Sequence, residues 1–157
     1  MLKPTPKIVV IIPAVNEEKS IGKVINELPH QIISKVLVCN NGSTDRTKEV
    51  ALEAGATVLD EPRKGYGWAC LKGLDYISKM NDKPDIVVFI DGDFSDYPKE
   101  LSLVVAPILN DDIDLVIGSR ALGAKEKGSM TFPQRFGNWL ATRLMRLFYH
   151  VRYTDLG

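Results

Sequence analysis

The sequence is short of several things, and each shortage argues against a class of protein. It has two cysteines in 157 residues, Cys39 inside an apolar run and Cys70 inside a helical pattern, with no Cys-x-x-Cys and no histidine beside either. Both read as small core residues of a reducing compartment, which argues against a disulfide scaffold or a cysteine-built metal centre. There is no excess of either charge, with Lys plus Arg and Asp plus Glu at 20 each. No overall basic field therefore argues for a nucleic-acid partner, and no acidic surplus for disorder. Long apolar runs are missing as well. Near the N-terminus Ile8 to Ile12 stops at Pro13, too short for a signal-peptide core or a membrane span. Internal repeats, low-complexity tracts and the Gly-x-x-x-x-Gly-Lys-Ser/Thr phosphate loop are also absent.

What is present suits one globular domain. The chain is long enough to bury a real core, and 45% of its residues are hydrophobic. Short apolar, β-branched runs predict strands at Ile8–Ile12, Val36–Cys39, Ala56–Leu59, Ile86–Ile90 and Asp114–Gly118. Between them lie helical spacings. Ile21, Val24, Ile25 and Leu28 form one face, ended by Pro29. Ser43 or Thr44 is placed to cap a helix running to Ala54, and Gly55 to stop it. A third helix, through about Ser78, shows Ala69, Cys70, Leu74 and Ile77, and a fourth, opened by Pro98, shows Leu101, Val104, Val105 and Ile108. Strand and helix alternate, which predicts an α/β fold: parallel strands, right-handed crossovers and helices on both faces of the sheet.

The stretch Asp85–Pro98 carries the sharpest chemical signal. An apolar run, expected to be a strand buried on both faces, delivers Asp91, Gly92 and Asp93 to its carboxyl end. If the extended backbone persists through Gly92, Asp91 and Asp93 point to the same side and converge. Two such carboxylates suit Mg²⁺ or Mn²⁺ and leave coordination positions for substrate phosphates. Alone, Asp-Gly-Asp also reads as a solvated turn. Its position strengthens the metal reading. Asn16 and Glu17, Asn40 and Asn41, Arg63 and Lys64, Asp91 and Asp93, and Arg120 all follow predicted strands, on the rim where open α/β sheets bind ligands. A dinucleotide fingerprint fits poorly, because Gly65-Tyr66-Gly67 does not follow the first strand and Cys70 occupies its third glycine position.

Four ordered motifs, Ile11-Ile12-Pro13-Ala14-Val15-Asn16-Glu17-Glu18, Asn41-Gly42-Ser43-Thr44-Asp45, Asp91-Gly92-Asp93 and Gly118-Ser119-Arg120, together resemble the successive signatures of family-2 glycosyltransferases. Arg135-Phe136-Gly137-Asn138 and Tyr153-Thr154-Asp155-Leu156-Gly157 narrow the resemblance to enzymes that glycosylate polyprenyl or dolichyl phosphates. The resemblance implies the GT-A fold, a Rossmann-like three-layer arrangement around a mostly parallel sheet. It also implies a hexose moved from a nucleotide sugar, of the UDP-glucose or GDP-mannose type, to a lipid phosphate. By it, Pro13, Ala14, Asn16 and Glu17 border the base and ribose, Lys64 lies near the diphosphate, and Asp91, Gly92 and Asp93 form the divalent-metal motif. Arg120 and Arg135 meet donor or acceptor phosphates. Asn40 and Asn41 stand where the family has two nucleotide-binding aspartates, the first of which commonly meets the base, so both acids are amides here, and an amide donates as well as accepts.

Charge decides the expected mechanism. The anomeric carbon becomes cation-like while negative charge grows on the leaving diphosphate, so a metal with Arg or Lys stabilises the transition state. A hydroxyl acceptor would need a general base, for which Asp155 is the nearest candidate; a lipid phosphate is already anionic. Residues 132–153 set Phe136, Leu140, Leu144 and Leu147 or Phe148 beside Arg135, Arg143, Arg146 and Arg152. Such a helix suits either peripheral contact with an anionic membrane or packing on its own domain with snorkelling arginines. The chain is therefore expected to be cytoplasmic, at the inner face of a membrane. It is also expected to be incomplete on the acceptor side, since it stops inside the last signature. A nucleotide-sugar-binding module without turnover and a metal-dependent nucleotidyltransferase are the alternative readings.

Overall fold

The computed structural model describes residues 6–111 and 113–118, together with Trp139 and Arg143. Two compact units divide the chain, Met1–Leu103 and Val104–Gly157. The first unit carries a four-stranded parallel sheet in the order β3-β2-β1-β4, formed by β1 (Ile8–Ala14), β2 (Ile33–Asn40), β3 (Thr57–Asp60) and β4 (Ile86–Phe89). The helices between them are α1 (Ile21–Glu27), α2 (Thr47–Glu53) and α3 (Tyr66–Ser78).

Alternation along β1 and β2 sorts the core into two layers. Val9, Ile11, Leu37 and Cys39 face α3 and cluster with its Ala69 and Ile77. Val10, Ile12, Val36 and Val38 are also buried and point to the opposite face. On that side α2 packs along β2 and β3, and α1 packs on α2 through a helix face that buries Ile21, Val24 and Ile25. The sheet is thus covered on both faces, as the strand and helix alternation predicts.

Where the structure departs from the sequence expectations, the reasons are local. β1 runs on through Pro13 to Ala14. The Ala14 carbonyl accepts from Asn41 on the β2 side, so the missing N–H of Pro13 faces the β4 side, where the ladder ends with the Ile90 N–H bonded to the Ile11 carbonyl. β4 is not buried on both faces, because among the described residues it is an edge strand: Val87 and Val88 are half-buried and Phe89 is 43% exposed. Ser43 and Thr44 do not cap α2, which starts at Thr47 and receives its N-terminal bond from Asp45, whose Oδ1 accepts the Thr47 N–H at 3.0 Å. On α3 the buried positions are Ala69, Gly73 and Ile77, and Leu74 is 40% exposed. The fourth helix is a 3-10 turn, Pro98–Glu100, followed by α4 (Leu101–Asn110), in which Leu101 and Val105 are buried. Asp114–Gly118 forms no strand, and Leu115 and Ile117 are exposed.

Candidate functional site

Parallel pairing aligns the carboxyl ends of the strands. Ala14 pairs with Asn40 and Asn40 with Asp60, so the loops leaving β1, β2 and β3 share one rim with the segment that follows β4. Between them opens a cleft of about 550 Å³. From the β1 side it is lined by Pro13, Ala14, Asn16 and Glu17, and from the β2 side by Asn41, Gly42 and Thr44. Lys64, Gly65, Tyr66 and Ala69 come from the start of α3 and the loop before it, and Asp91, Gly92 and Asp93 follow β4. Nine residues singled out in the sequence therefore meet in one place. Asn40 is not among the lining residues: its Nδ2 donates to Asp60 Oδ1 at 2.9 Å, and its Oδ1 accepts the Ser43 N–H at 3.2 Å. Arg120, Arg135, Asp155 and most of residues 132–153, expected from the sequence to form a basic helix, lie outside the described residues.

The β1 and β2 loops are stitched together before any ligand arrives. Asn16 adopts a left-handed backbone, φ 58°, with its N–H bonded to Ser43 Oγ at 3.0 Å and its Oδ1 accepting the Thr44 N–H at 2.9 Å. The fully buried Thr47 accepts the Glu17 N–H on Oγ1 at 2.7 Å and donates to Asp45 Oδ1. Sequence reading missed Thr47 as a rim support. Its signal was a hydroxyl at the first position of an otherwise apolar helix face.

Asp91 and Asp93 both reach the cleft, but not by strand alternation. β4 has ended, Gly92 and Asp93 form a turn, and Phe94 takes φ 65°, a strained conformation for a bulky residue. Asp93 Oδ1 holds that turn by accepting the Ser95 N–H at 2.9 Å. Asp91 Oδ1 receives the Tyr66 hydroxyl in a long contact of 3.3 Å. Partial burial and the neighbouring Asp91 carboxylate raise the Tyr66 phenol above its ordinary value, so it stays a donor. Tyr66 was another residue the sequence reading passed over, although its place just after Lys64 in the first turn of α3 pointed toward the rim.

Electrostatics favour a cation in this cleft. Glu17, Asp91 and Asp93 are acidic, and Lys64 is the one cation among the described residues lining it. A diphosphate placed there would meet net repulsion unless a divalent ion stood between. No cluster of three or more His, Cys, Asp or Glu side chains fit for a metal occurs among the described residues. Two carboxylates fit a hard ion that completes its shell from substrate phosphates and water, rather than one held in an all-protein cage.

One supporting cluster lies behind the cleft. Glu61 is buried, and Arg63 grips its carboxylate through Nε at 2.7 Å and a terminal nitrogen at 2.8 Å while stacking 3.9 Å from the centre of the Trp68 ring. The Arg63 side chain and then its backbone N–H hold Glu61 down to about 2, against an ordinary 4.5. Because the folded value is the lower one, this stabilisation is complete above pH 4.5 and drains as pH falls toward 2. Melting temperature measured against pH should fall across that window, and Glu61→Gln should flatten the slope; an unchanged slope would remove Glu61 as its source.

Comparison with known proteins bears on the family and the fold. The family model described as glycosyl transferase family 2 matches residues 9–156. A UDP-N-acetylglucosamine–dolichyl-phosphate N-acetylglucosaminyltransferase of Methanococcus voltae is 30% identical over 83% of this chain and 59% of its own length. A dolichyl-phosphate hexose transferase of Haloferax volcanii is 34% identical over 86% of this chain and 56% of its own. The chain thus spans little more than half the length of these curated relatives. Among solved structures, glucosyl-3-phosphoglycerate synthase of Mycobacterium tuberculosis, crystallised with Mn²⁺, UDP and glucosyl-3-phosphoglycerate, superposes with a TM-score of 0.58 at 32% identity, over 67% of this chain and 40% of that one. The likeness bears out the α/β, GT-A architecture read from the sequence.

Proposed function

This chain belongs to glycosyl transferase family 2, and from that membership we propose that its cleft binds a nucleoside diphosphate sugar with Mg²⁺ or Mn²⁺ and that the protein transfers a hexose to a lipid phosphate. The observation that carries the reading is the convergence of Asp91, Asp93 and Lys64 with the β1 and β2 loops around one cleft at the carboxyl ends of parallel strands. Metal-bound relatives and the dolichyl-phosphate transferases support the ion and the acceptor respectively.

In this reading Asp91 and Asp93 hold the ion, which would neutralise the growing charge of the leaving diphosphate. Lys64 meets the diphosphate from the α3 side. Pro13, Ala14, Asn16 and Glu17 border the nucleoside, and their prior hydrogen bonding to the β2 loop lowers the cost of ordering them on binding. The bond from the anomeric carbon to the diphosphate breaks while a bond to an acceptor oxygen forms, and the nucleoside diphosphate leaves. A phosphate acceptor brings its own anionic oxygen, so no proton need be removed; for a hydroxyl acceptor Asp155 would serve as base. Arg120 and Arg135 are assigned to donor or acceptor phosphates. Residues 132–153 are assigned to the membrane face where a lipid acceptor resides, with no helix among the described residues long and apolar enough to cross it.

The test is transfer of labelled hexose from UDP-glucose, UDP-N-acetylglucosamine or GDP-mannose to polyprenyl phosphate in detergent with Mn²⁺. Solvent-extractable label that chelator abolishes is expected. Metal-dependent nucleotide binding without label in any lipid would reduce the protein to a binding module, and label in 3-phosphoglycerate instead would move the acceptor to small phosphates. Pyrophosphate released from a nucleoside triphosphate would make it a nucleotidyltransferase.

A further inference from the structure

We infer that Asn41 is a positioning residue, whose amide holds the loop bearing Lys64 against the end of β2 and does not read the nucleobase; its functional consequence rests on the diphosphate site proposed above.

The loop of residues 61–65 joins β3 to α3, and within it the Arg63 side chain and N–H bond the Glu61 carboxylate. Pro62 has no N–H, and Gly65 sits at φ 127°, a backbone conformation open chiefly to glycine. Asn41, only 8% exposed, takes over its fixing. Its Nδ2 donates to the Glu61 carbonyl at 3.1 Å and the Arg63 carbonyl at 2.7 Å, and its Oδ1 accepts the Gly65 N–H at 2.7 Å. Its own N–H is bonded to the Ala14 carbonyl at 2.9 Å, so the residue ties β1, β2 and the loop together. Lys64 lies between two of the residues so held.

An amide has two N–H donors, and both are spent. That leaves no donor for a base, and Oδ1, already accepting from Gly65, keeps one lone pair at most. The bonding also favours an amide over an acid at this position. A carboxylate would set a charged oxygen against two backbone carbonyls, neither of which can donate, whereas Asn satisfies both and still accepts from Gly65. Asn40 works alongside, holding Asp60 at the end of β3.

The test compares wild type with Asn41→Asp, Asn41→Ala and the milder Asn41→Ser, the last in case the first two fold poorly. Hydrogen exchange of the full chain without ligand should accelerate across 61–65 in the variants, while β1 and β2 stay protected. Affinities for UDP, GDP and inorganic pyrophosphate, each with Mn²⁺, should fall together by about tenfold, the loss of one charged phosphate contact. Lys64→Ala should weaken the wild type but add little in the Asn41→Asp background, since the lysine is already misplaced. Unchanged exchange at 61–65 would overturn the inference. So would a changed preference between UDP and GDP with pyrophosphate binding intact, because Asn41 would then be reading the base. If the wild type binds none of the three, the diphosphate site falls, and the exchange experiment alone decides whether Asn41 holds the loop.

Discussion

Asp93→Asn is expected to melt like the wild type in the absence of ligands and to lose the whole upward shift that Mn²⁺ and a nucleoside diphosphate sugar produce together. The fold should survive because the asparagine Oδ1 can still accept the Ser95 N–H that holds the turn after β4. Lost is the negative charge and half of the donor set for a hard cation. A ligand at a hundred times its Kd stabilises by about 2.7 kcal/mol. For a chain of this length that is on the order of 5–10 °C in Tm, so its disappearance is easily read. Repeating the wild-type scan with chelator gives the same loss by a second route. A full shift retained in Asp93→Asn would place the ion elsewhere and take the strongest support from the transferase reading.

The second large effect is in the core. Gly73 faces β1 from α3, and a Cβ built there would come within 2.8 Å of both Cδ1 and Cγ2 of Ile11 and 3.0 Å of Cγ1. Ile11 is fully buried in the middle of the sheet and has nowhere to retreat. Gly73→Ala should therefore cost about 1–3 kcal/mol of overpacking, offset in part by the roughly 1 kcal/mol that Ala gains over Gly inside a helix. A Tm lowered by on the order of 5 °C is expected. Ile11→Ala removes all three clashing atoms and is itself costly, by about 2–5 kcal/mol. The double variant should be more stable than the sum of the two singles by about 1 kcal/mol or more. Strict additivity would mean that Gly73 is not there for packing. The consequence reaches the cleft, because the close seat of α3 on β1 brings Ala69 into its wall and the Tyr66 hydroxyl to Asp91.

Much of this was legible in the chain. Apolar β-branched runs locate β1 to β4; a strand covered on both faces, such as β1, must be apolar at every position, and the half-buried β3 and β4 keep enough of that pattern to be found. The polar clusters just beyond β1 to β4 then fall on the same rim, since parallel strands end on the same side. Less legible were the contributions of single contacts. Leu74 has the right spacing for a core position on α3, yet the smaller Gly73 is buried in its stead, because close approach to Ile11 decided which face of the helix turned inward. Ser43 and Thr44 look like caps for α2, but the Asn16 backbone N–H and side chain claim them first. Asn41 has the identity of a ligand-binding amide, and only the positions of the Glu61 and Arg63 carbonyls show that its donors are taken.

The sequence by itself determined the α/β class, the strand order in the chain, the family signatures and the chemical character of the rim, because periodicity and residue type are local properties. Only the tertiary structure decided that Asp91 and Asp93 reach the cleft through a turn and not along a strand, that Tyr66 bonds Asp91, and that Asn41 faces inward to the Lys64 loop. The turn rests on the backbone conformation at Phe94 and the other two on atoms 20 or more residues apart in the chain, and a one-dimensional pattern carries neither.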